Sequence, residues 1–427
     1  MGGDAHAQRL VFVGTSHHVA PLEVRERLYL GPQETRALAP WLTDGGEAVM
    51  LSTCNRTEIY IGSGDPRAAH ARVVAELARR SGLAEAELAP ALRVATEDGA
   101  SLHLFRVAAG LESLVPGEPQ ILGQLREAHE RAKAAGTAGP LLDRLFRQAL
   151  HAGKRVRSET TLGARPVSIA AAAAQLVREV FGGLEGRRIL IIGAGKMSEL
   201  AAASLVSSGS DNVFVANRTV ERAAALAARF GGYAVGFDRL VAELERVDVV
   251  VSSTRCPQIV LAASQVAEAL PRRRGRPLLL IDIAVPRDLD PAIGELPTCH
   301  LYDLDDLGRA TPEADPATRA GLARAEAIVV EEAARFAGWR SSLEVVPTIV
   351  SLRRRAEAIR AAELARADGK LAALSSAERR AVEAVTAQIV NKLLHAPTVR
   401  AKEAAEGPDG GRYEAALRHL FALEEVA

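Results

Sequence analysis

The sequence predicts an α/β protein in three parts: an N-terminal α/β catalytic domain, a Rossmann-like doubly wound nucleotide-binding domain, and a C-terminal all-α dimerisation domain. Three observations predict this. Short apolar runs bounded by turn residues fill the first third. Similar runs alternate with helical stretches through the middle, as in a parallel sheet. The rest is rich in alanine, leucine, arginine and glutamate, with no strand-like run. A chain of 427 residues is too long for one ordinary core. Its 48% apolar and 25% charged content is globular.

In the first part, residues 1–165, Leu10–Val13, Ala48–Leu51 and Glu58–Ile61 read as short buried strands. Amphipathic helices follow, with a loop at Pro116-Gly117. In the second, residues 166–315, strands are expected at 188–192, 213–216, 247–251 and 278–281. In the third, residues 316–427, Leu322, Val329, Phe336 and Leu343 recur every seven residues. A stripe that narrow reads as a helix–helix seam and points to dimerisation rather than to a monomeric helical subdomain. Pro347 is expected to end that helix. Val382, Val385, Ile389 and Leu393 mark one face of a later helix.

Composition excludes several classes. Basic and acidic residues balance at 53 each, so RNA contact has to come from local patches. Aromatic residues are only 4%, too few for a stacking platform. The three cysteines, Cys54, Cys256 and Cys299, are dispersed and odd in number, which fits reduced thiols in the cytoplasm. There is no C-x-x-C and no H-E-x-x-H, so no metal site is expected. No apolar run is long enough to span a bilayer, and neither a membrane nor a DNA partner is expected.

Gly193-Ala194-Gly195-Lys196-Met197-Ser198 follows a strand and opens a helix. The two glycines let backbone approach a pyrophosphate, and the helix N-terminus supplies amide donors. The alternative is a tight turn without a ligand. At the tip of the next strand an NAD site usually carries an acid. Here stands Asn217-Arg218-Thr219, which suits a 2′-phosphate and so NADPH. Thr219 serves equally as a helix cap.

Leu51-Ser52-Thr53-Cys54-Asn55-Arg56-Thr57-Glu58 leaves a strand for a polar turn. Polar neighbours and an arginine suit an activatable thiol, although an isolated cysteine is often just a small buried hydrophobe. Arg56 reads in two ways: a fork for a ligand carboxylate, or a partner of Glu58 or of an RNA phosphate. His103, on an amphipathic helix, reads by itself as structural. Glu112-Ser113-Leu114-Val115-Pro116-Gly117-Glu118-Pro119-Gln120-Ile121-Leu122-Gly123-Gln124 is either a polar ligand loop or a capped turn into a helix.

Taken in order, these motifs resemble glutamyl-tRNA reductase. So do Asp282-Ile283-Ala284-Val285-Pro286-Arg287, Tyr302-Asp303-Leu304-Asp305-Asp306-Leu307 and Ile389-Val390-Asn391-Lys392-Leu393-Leu394-His395-Ala396-Pro397-Thr398. The resemblance implies a three-domain homodimer that reduces glutamyl-tRNA(Glu) with NADPH to glutamate-1-semialdehyde, the first step of tetrapyrrole biosynthesis by the C5 pathway. It implies Cys54 as nucleophile and thioester carrier, with His103 important for activity. It implies a glutamyl site of Thr53, Cys54, Asn55, Arg56, Ser113, Glu118, Pro119, Gln120 and Gln124, and NADPH at Gly193 to Ser198. It also implies product channelling to glutamate-1-semialdehyde aminomutase. Pro116 stands where the family commonly has leucine, and displaces no ligand. The rival reading is a shikimate-type NADP-dependent dehydrogenase, which needs neither a cysteine nor tRNA.

Overall fold

The structure is a computed structural model that describes residues 8–43, 46–118, 120–163, 169–254, 256–309, 316–405 and 410–423. Pro119 and the expected domain junctions at 165/166 and 315/316 lie outside them. The chain forms two compact units, Arg9–Val329 and the helices from Val330 onward.

The first unit holds two sheets. In the N-terminal sheet, β1 (Arg9–Ser16), β2 (Glu47–Ser52), β3 (Arg56–Ser63) and β4 (Arg93–Thr96) are antiparallel in the order β2-β3-β1-β4. Side chains alternate across a strand. Val11, Val13, Met50, Ile59 and Ile61 therefore share one core with Leu28, Leu42, Val73 and Leu77 from covering helices. The opposite face carries Phe12 and Tyr60, with ring centroids 5.1 Å apart. The helix Pro140–Glu159 covers that face through Phe146, edge-on to Tyr60 at 5.5 Å. Because both faces are buried there, β1 and β2 read as unbroken apolar runs.

The second sheet is parallel: β5 (Arg188–Ile192), β6 (Asn212–Ala216), β7 (Tyr233–Val235), β8 (Val249–Ser252), β9 (Leu278–Asp282) and β10 (Cys299–Tyr302). Their order is β10-β9-β8-β5-β6-β7, a doubly wound sheet whose order reverses between β5 and β8. The crevice at that reversal, beyond the carboxyl ends of the strands, is where such sheets bind nucleotides. Both faces are buried. Ile189 and Ile191 face one cluster, and Leu190 and Ile192 the other.

The second unit is helical: the end of Pro316–Glu344, then Val346–Arg366, Ser376–Ala405 and Gly410–Leu420, with the short turn Asp368–Leu371 between. Pro347 lies in the first turn of its helix, where a missing N–H costs nothing. The seven-residue stripe differs from its expected role. Val329 and Phe336 are fully buried within this single chain, and Leu322 and Leu343 half-buried, so the stripe is internal core rather than a seam between subunits. A period of seven reports that a helix has a narrow apolar face, not whose residues cover it. The open apolar surface is the other predicted face. Val385, Ile389 and Leu393 are exposed, and Ile389 and Leu393 line a groove of about 550 Å³ with Ile359 and Phe421. Among the described residues, no helix is long and apolar enough to cross a membrane.

Candidate active site

Cys54 sits at the tip of the tight turn joining β2 to β3. The Thr53 N–H donates to the Arg56 carbonyl at 2.8 Å and the Asn55 N–H to Thr53 Oγ1 at 3.2 Å, which closes the turn. Two outside groups fix its carbonyls. Arg25 Nη1 donates to the Cys54 oxygen at 3.2 Å, and the His17 N–H to the Asn55 oxygen at 3.1 Å.

Below the turn, alternation along β3 places Arg56, Glu58 and Tyr60 on one face. Glu58 is buried and fully engaged. Arg56 Nη1 donates to its Oε1 at 2.7 Å, His103 Nε2 lies 2.9 Å from the same oxygen, and the Tyr60 hydroxyl donates to Oε2 at 2.8 Å. Room for this comes from Gly14, opposite Glu58 in β1, where a Cβ would lie 2.8 Å from the Thr57 carbonyl. Burial works to raise the Glu58 carboxyl. Arg56 and His103 outweigh it and hold the group at about 2. Of the two readings of Arg56, the structure places it in the pair with Glu58. Its Nη2 also donates to the Glu112 carbonyl, tying the turn to the loop that carries Ser113 and Glu118. Three guanidinium N–H groups are not taken by these two bonds.

The loop and the turn converge. Ser113 and Glu118 are buried, and Gln120 and Gln124 lie one turn apart at the start of the helix Gln120–Ala134. Burial pushes the Cys54 thiol up to about 12, the Glu118 carboxylate adds to this, and Arg25 and Arg56 oppose it. Burial likewise raises Glu118 to about 7, with Arg56 opposing. Near neutral pH Glu118 is thus shared between acid and anion beside the thiol. Removing its charge eases ionisation of Cys54: Glu118→Gln should speed alkylation of Cys54 by iodoacetamide at pH 8 several-fold, roughly tenfold for each unit by which the thiol falls. An unchanged rate would show that the two groups do not interact.

Sequence reasoning missed His17. Its ring packs against that of His18, with centroids 3.9 Å apart and the planes tilted by 40°. Burial, then His18, Arg56 and Arg25, lower it to about 3, so it is neutral at physiological pH. His17 Nδ1, Asn55 Oδ1, His103 Nδ1 and Gln120 Nε2 are buried without a hydrogen-bond partner among the described residues. Buried polar atoms are nearly always paired, so these orphans, of which Asn55 Oδ1 is in the turn and His17 is bonded to it, mark places for a polar ligand.

The nucleotide motifs converge on a separate cleft of about 470 Å³, lined by Gly193, Ala194, Gly195, Asn217, Arg218 and Thr219. Gly193 has φ +108°, and a Cβ there would collide with the Ser253 carbonyl. Gly195 faces open space. The next three residues do not line the cleft; they open the helix Lys196–Ser207, whose first N–H groups have no partner within the helix. Their side chains turn elsewhere. Lys196 reaches Glu199, Met197 packs on the core, and the Ser198 hydroxyl donates to the Ser253 carbonyl at 3.2 Å. Asn217 Nδ2 donates to the Thr219 carbonyl at 3.0 Å. Thr219 occupies the cap position of the helix Val220–Arg229, but its side chain makes no capping bond. Ser253, Thr254 and Cys256, in the segment after β8 that carries no motif, also line the cleft. Among the described residues no cluster of three metal-ligating side chains occurs.

Known proteins match this arrangement along its length. Residues 13–160 match the glutamyl-tRNA(Glu) reductase N-terminal domain, 175–310 the shikimate/quinate 5-dehydrogenase family, and 324–423 the glutamyl-tRNA(Glu) reductase dimerisation domain. A glutamyl-tRNA reductase of Syntrophotalea carbinolica is 42% identical, over 96% of this chain and 94% of that one. One of Moorella thermoacetica is 44% identical, over 97% and 95%. The solved glutamyl-tRNA reductase of Methanopyrus kandleri is 34% identical, covering 97% of this chain and 99% of that one, with a TM-score of 0.46. With relatives above 40% identity over nearly its full length, the chain belongs to the glutamyl-tRNA reductase family.

Proposed function

We propose that the chain takes glutamate from glutamyl-tRNA(Glu) as a thioester on Cys54 and releases it, after reduction with NADPH, as glutamate-1-semialdehyde, the first step towards tetrapyrroles by the C5 pathway. The observation that carries this is the setting of Cys54. It adjoins the unpartnered Asn55 Oδ1 in its turn and packs against the apolar cluster of the nucleotide sheet. A thiol used only as a hydrophobe has no need of the first, and a dehydrogenase of the shikimate type has no use for the thiol.

The Cys54 thiol passes its proton to Glu118, poised near neutrality beside it, as the sulfur attacks the ester carbonyl carbon. The bond to the tRNA oxygen breaks, and that oxygen leaves with the proton from Glu118. Thioester then replaces oxygen ester, a better hydride acceptor. Bound NADPH supplies the hydride. The C–S bond of the resulting tetrahedral oxyanion breaks to give the aldehyde and the Cys54 thiolate. Thr53, Asn55, Ser113, Pro119, Gln120 and Gln124 complete the glutamyl site. Asn55 Oδ1 suits an ammonium, and the N–H groups of Arg56 not engaged by Glu58 or Glu112 suit the side-chain carboxylate. His103 acts through Glu58, which orients Arg56.

The cleft fits the cofactor: a collision-free approach at Gly195, an obligate glycine at 193, and no acid at the tip of β6. Arg218 donates from Nη2 towards Cys256 Sγ at 3.6 Å, a weak contact that a phosphate replaces readily. Arg218→Asp should raise the Michaelis constant for NADPH at least tenfold, about 1.4 kcal/mol, and narrow the preference over NADH. An unchanged ratio of the two cofactors would make the turn merely structural.

We assign the three domains to 1–165, 166–315 and 316–427, working as a cytoplasmic homodimer that passes product to glutamate-1-semialdehyde aminomutase. The Ile359–Leu393 face is the subunit contact in this reading. Changing Ile389 and Leu393 together to aspartate should give monomers by sedimentation, with the helical content kept. A persisting dimer would remove this face from the interface. The activity itself is tested by NADPH oxidation that requires charged tRNA. Oxidation with free glutamate, or with shikimate, would favour the rival dehydrogenase.

A further inference from the structure

The short helix Leu22–Leu28 carries Arg25 and Glu26 side by side, and each reaches across to the nucleotide sheet's side of the unit. Arg25 is only 2% exposed. Its Nε donates to the Ala20 carbonyl at 3.2 Å, its Nη1 to the Cys54 carbonyl, and its Nη2 to Asp305 Oδ1 in the helix Leu304–Arg309. Glu26 is gripped by Arg287, whose Nε lies 3.0 and 3.1 Å from the two carboxylate oxygens and whose Nη2 lies 2.9 Å from Oε2.

Arg287 is itself held in place. It follows β9, in a loop pinned by two buried carboxylates. Asp282 Oδ2 accepts from the N–H groups of Asp288 and Leu289 at 2.9 and 2.8 Å. Asp288 Oδ2 accepts from the Ser252 hydroxyl and the Thr254 N–H, both at 2.7 Å. Thr254 lines the nucleotide cleft. A path therefore runs from the cleft through Asp288, along the backbone to its neighbour Arg287, and by ion pair to Glu26 on the helix; from the helix, Arg25 bonds to the Cys54 carbonyl. Arg25 reaches Cys54 at its backbone carbonyl and not at the thiol, and Glu26 touches the site only through Arg287.

We infer that Arg25 and Glu26 are positioning residues: through Asp305 and Arg287 they set the distance between the Cys54 thioester and the nucleotide cleft for hydride transfer. The inference rests on the thioester reading above. Hydride transfer needs reacting atoms about 3–3.5 Å apart, and a misplacement of about 1 Å costs on the order of 100-fold. Attack on the ester, by contrast, involves only the N-terminal sheet and its turn. A strut between the two parts therefore affects the second step and spares the first.

The test uses the full chain with Arg287→Glu, Glu26→Arg and the two combined. Three quantities are read: labelled glutamyl-enzyme formed without NADPH, the single-turnover rate at which NADPH then reduces it, and NADPH affinity by fluorescence titration. Each single variant is expected to form glutamyl-enzyme and bind NADPH as the wild type does, and to reduce the thioester about 100-fold more slowly. The double variant, with the charges exchanged, is expected to recover most of that rate. Asp305→Asn, a gentler cut of the other tie, is expected to slow reduction about tenfold with its melting temperature little changed. Normal reduction rates in the single variants and in Asp305→Asn overturn the inference, as does a slowing that the exchanged pair fails to rescue. If the wild type forms no glutamyl-enzyme, the thioester reading falls, and the inference with it.

Discussion

Cys54→Ser is expected to lower the turnover of glutamyl-tRNA by about 1,000-fold or more while leaving NADPH binding unchanged. Serine keeps the size and the turn, whose closing bonds run through Thr53, Asn55 and Arg56 rather than the thiol. What it loses is the nucleophile. A hydroxyl ionises far less readily than a thiol, and an oxygen ester on the introduced serine would be no better a hydride acceptor than the tRNA ester it replaced. The burial that pushes the thiol up to about 12 makes the step depend on a nearby proton acceptor. Turnover should accordingly rise with pH as Glu118, raised to about 7, gives up its proton. NADPH oxidation with charged tRNA measures both. Activity near the wild-type level in the serine variant would mean that no covalent step passes through this residue.

Glu58→Gln is expected to be the most damaging change outside the nucleophile, in stability as well as activity. It leaves the buried Arg56 without its counter-ion, which costs about 3–5 kcal/mol. The same group links stability to pH. A carboxyl held at about 2 against an ordinary 4.5 stabilises the fold fully above 4.5 and loses that contribution as pH falls towards 2, on the order of 3 kcal/mol in all. The wild type should therefore lose stability through this acid range, and Glu58→Gln should lose less of it. Denaturant melts at pH 7 and pH 3 give the comparison. Because Glu58 orients Arg56 and holds His103, the variant's Michaelis constant for glutamyl-tRNA should also rise. A fully stable Glu58→Gln protein would show that the carboxylate is not the ionised centre of this network.

The two turns proposed to carry the chemistry are legible because their signals are local. Thr53 to Arg56 closes its own bonds within four residues, and Gly193 to Ser198 is a strand, a turn and a helix start in sequence. The Glu58 network is not legible in the same way. Its third member, His103, is 45 residues away, and nothing in the 97–108 helix marks that histidine out from a structural one. The alternation of Arg56, Glu58 and Tyr60 along β3 is the one local clue. The ties from Arg25 to Asp305 and from Glu26 to Arg287 span more than 250 positions and leave no local trace. Strands β4 and β7 are illegible because they are short edges, largely exposed, without an apolar run. The stripe from Leu322 to Leu343 is legible as an apolar face, but its cover is not, since periodicity fixes a face and leaves its partner undetermined.

The most direct measurement is to trap the intermediate. Full-length protein is mixed with tRNA charged with labelled glutamate in the absence of NADPH, digested under acid conditions, and the labelled peptide identified by mass. The account predicts label on the peptide containing Cys54, sensitive to hydroxylamine, and its conversion to labelled semialdehyde when NADPH is added to the undigested complex. Semialdehyde formed at the full rate with no label on Cys54, or with label on another residue, would contradict it.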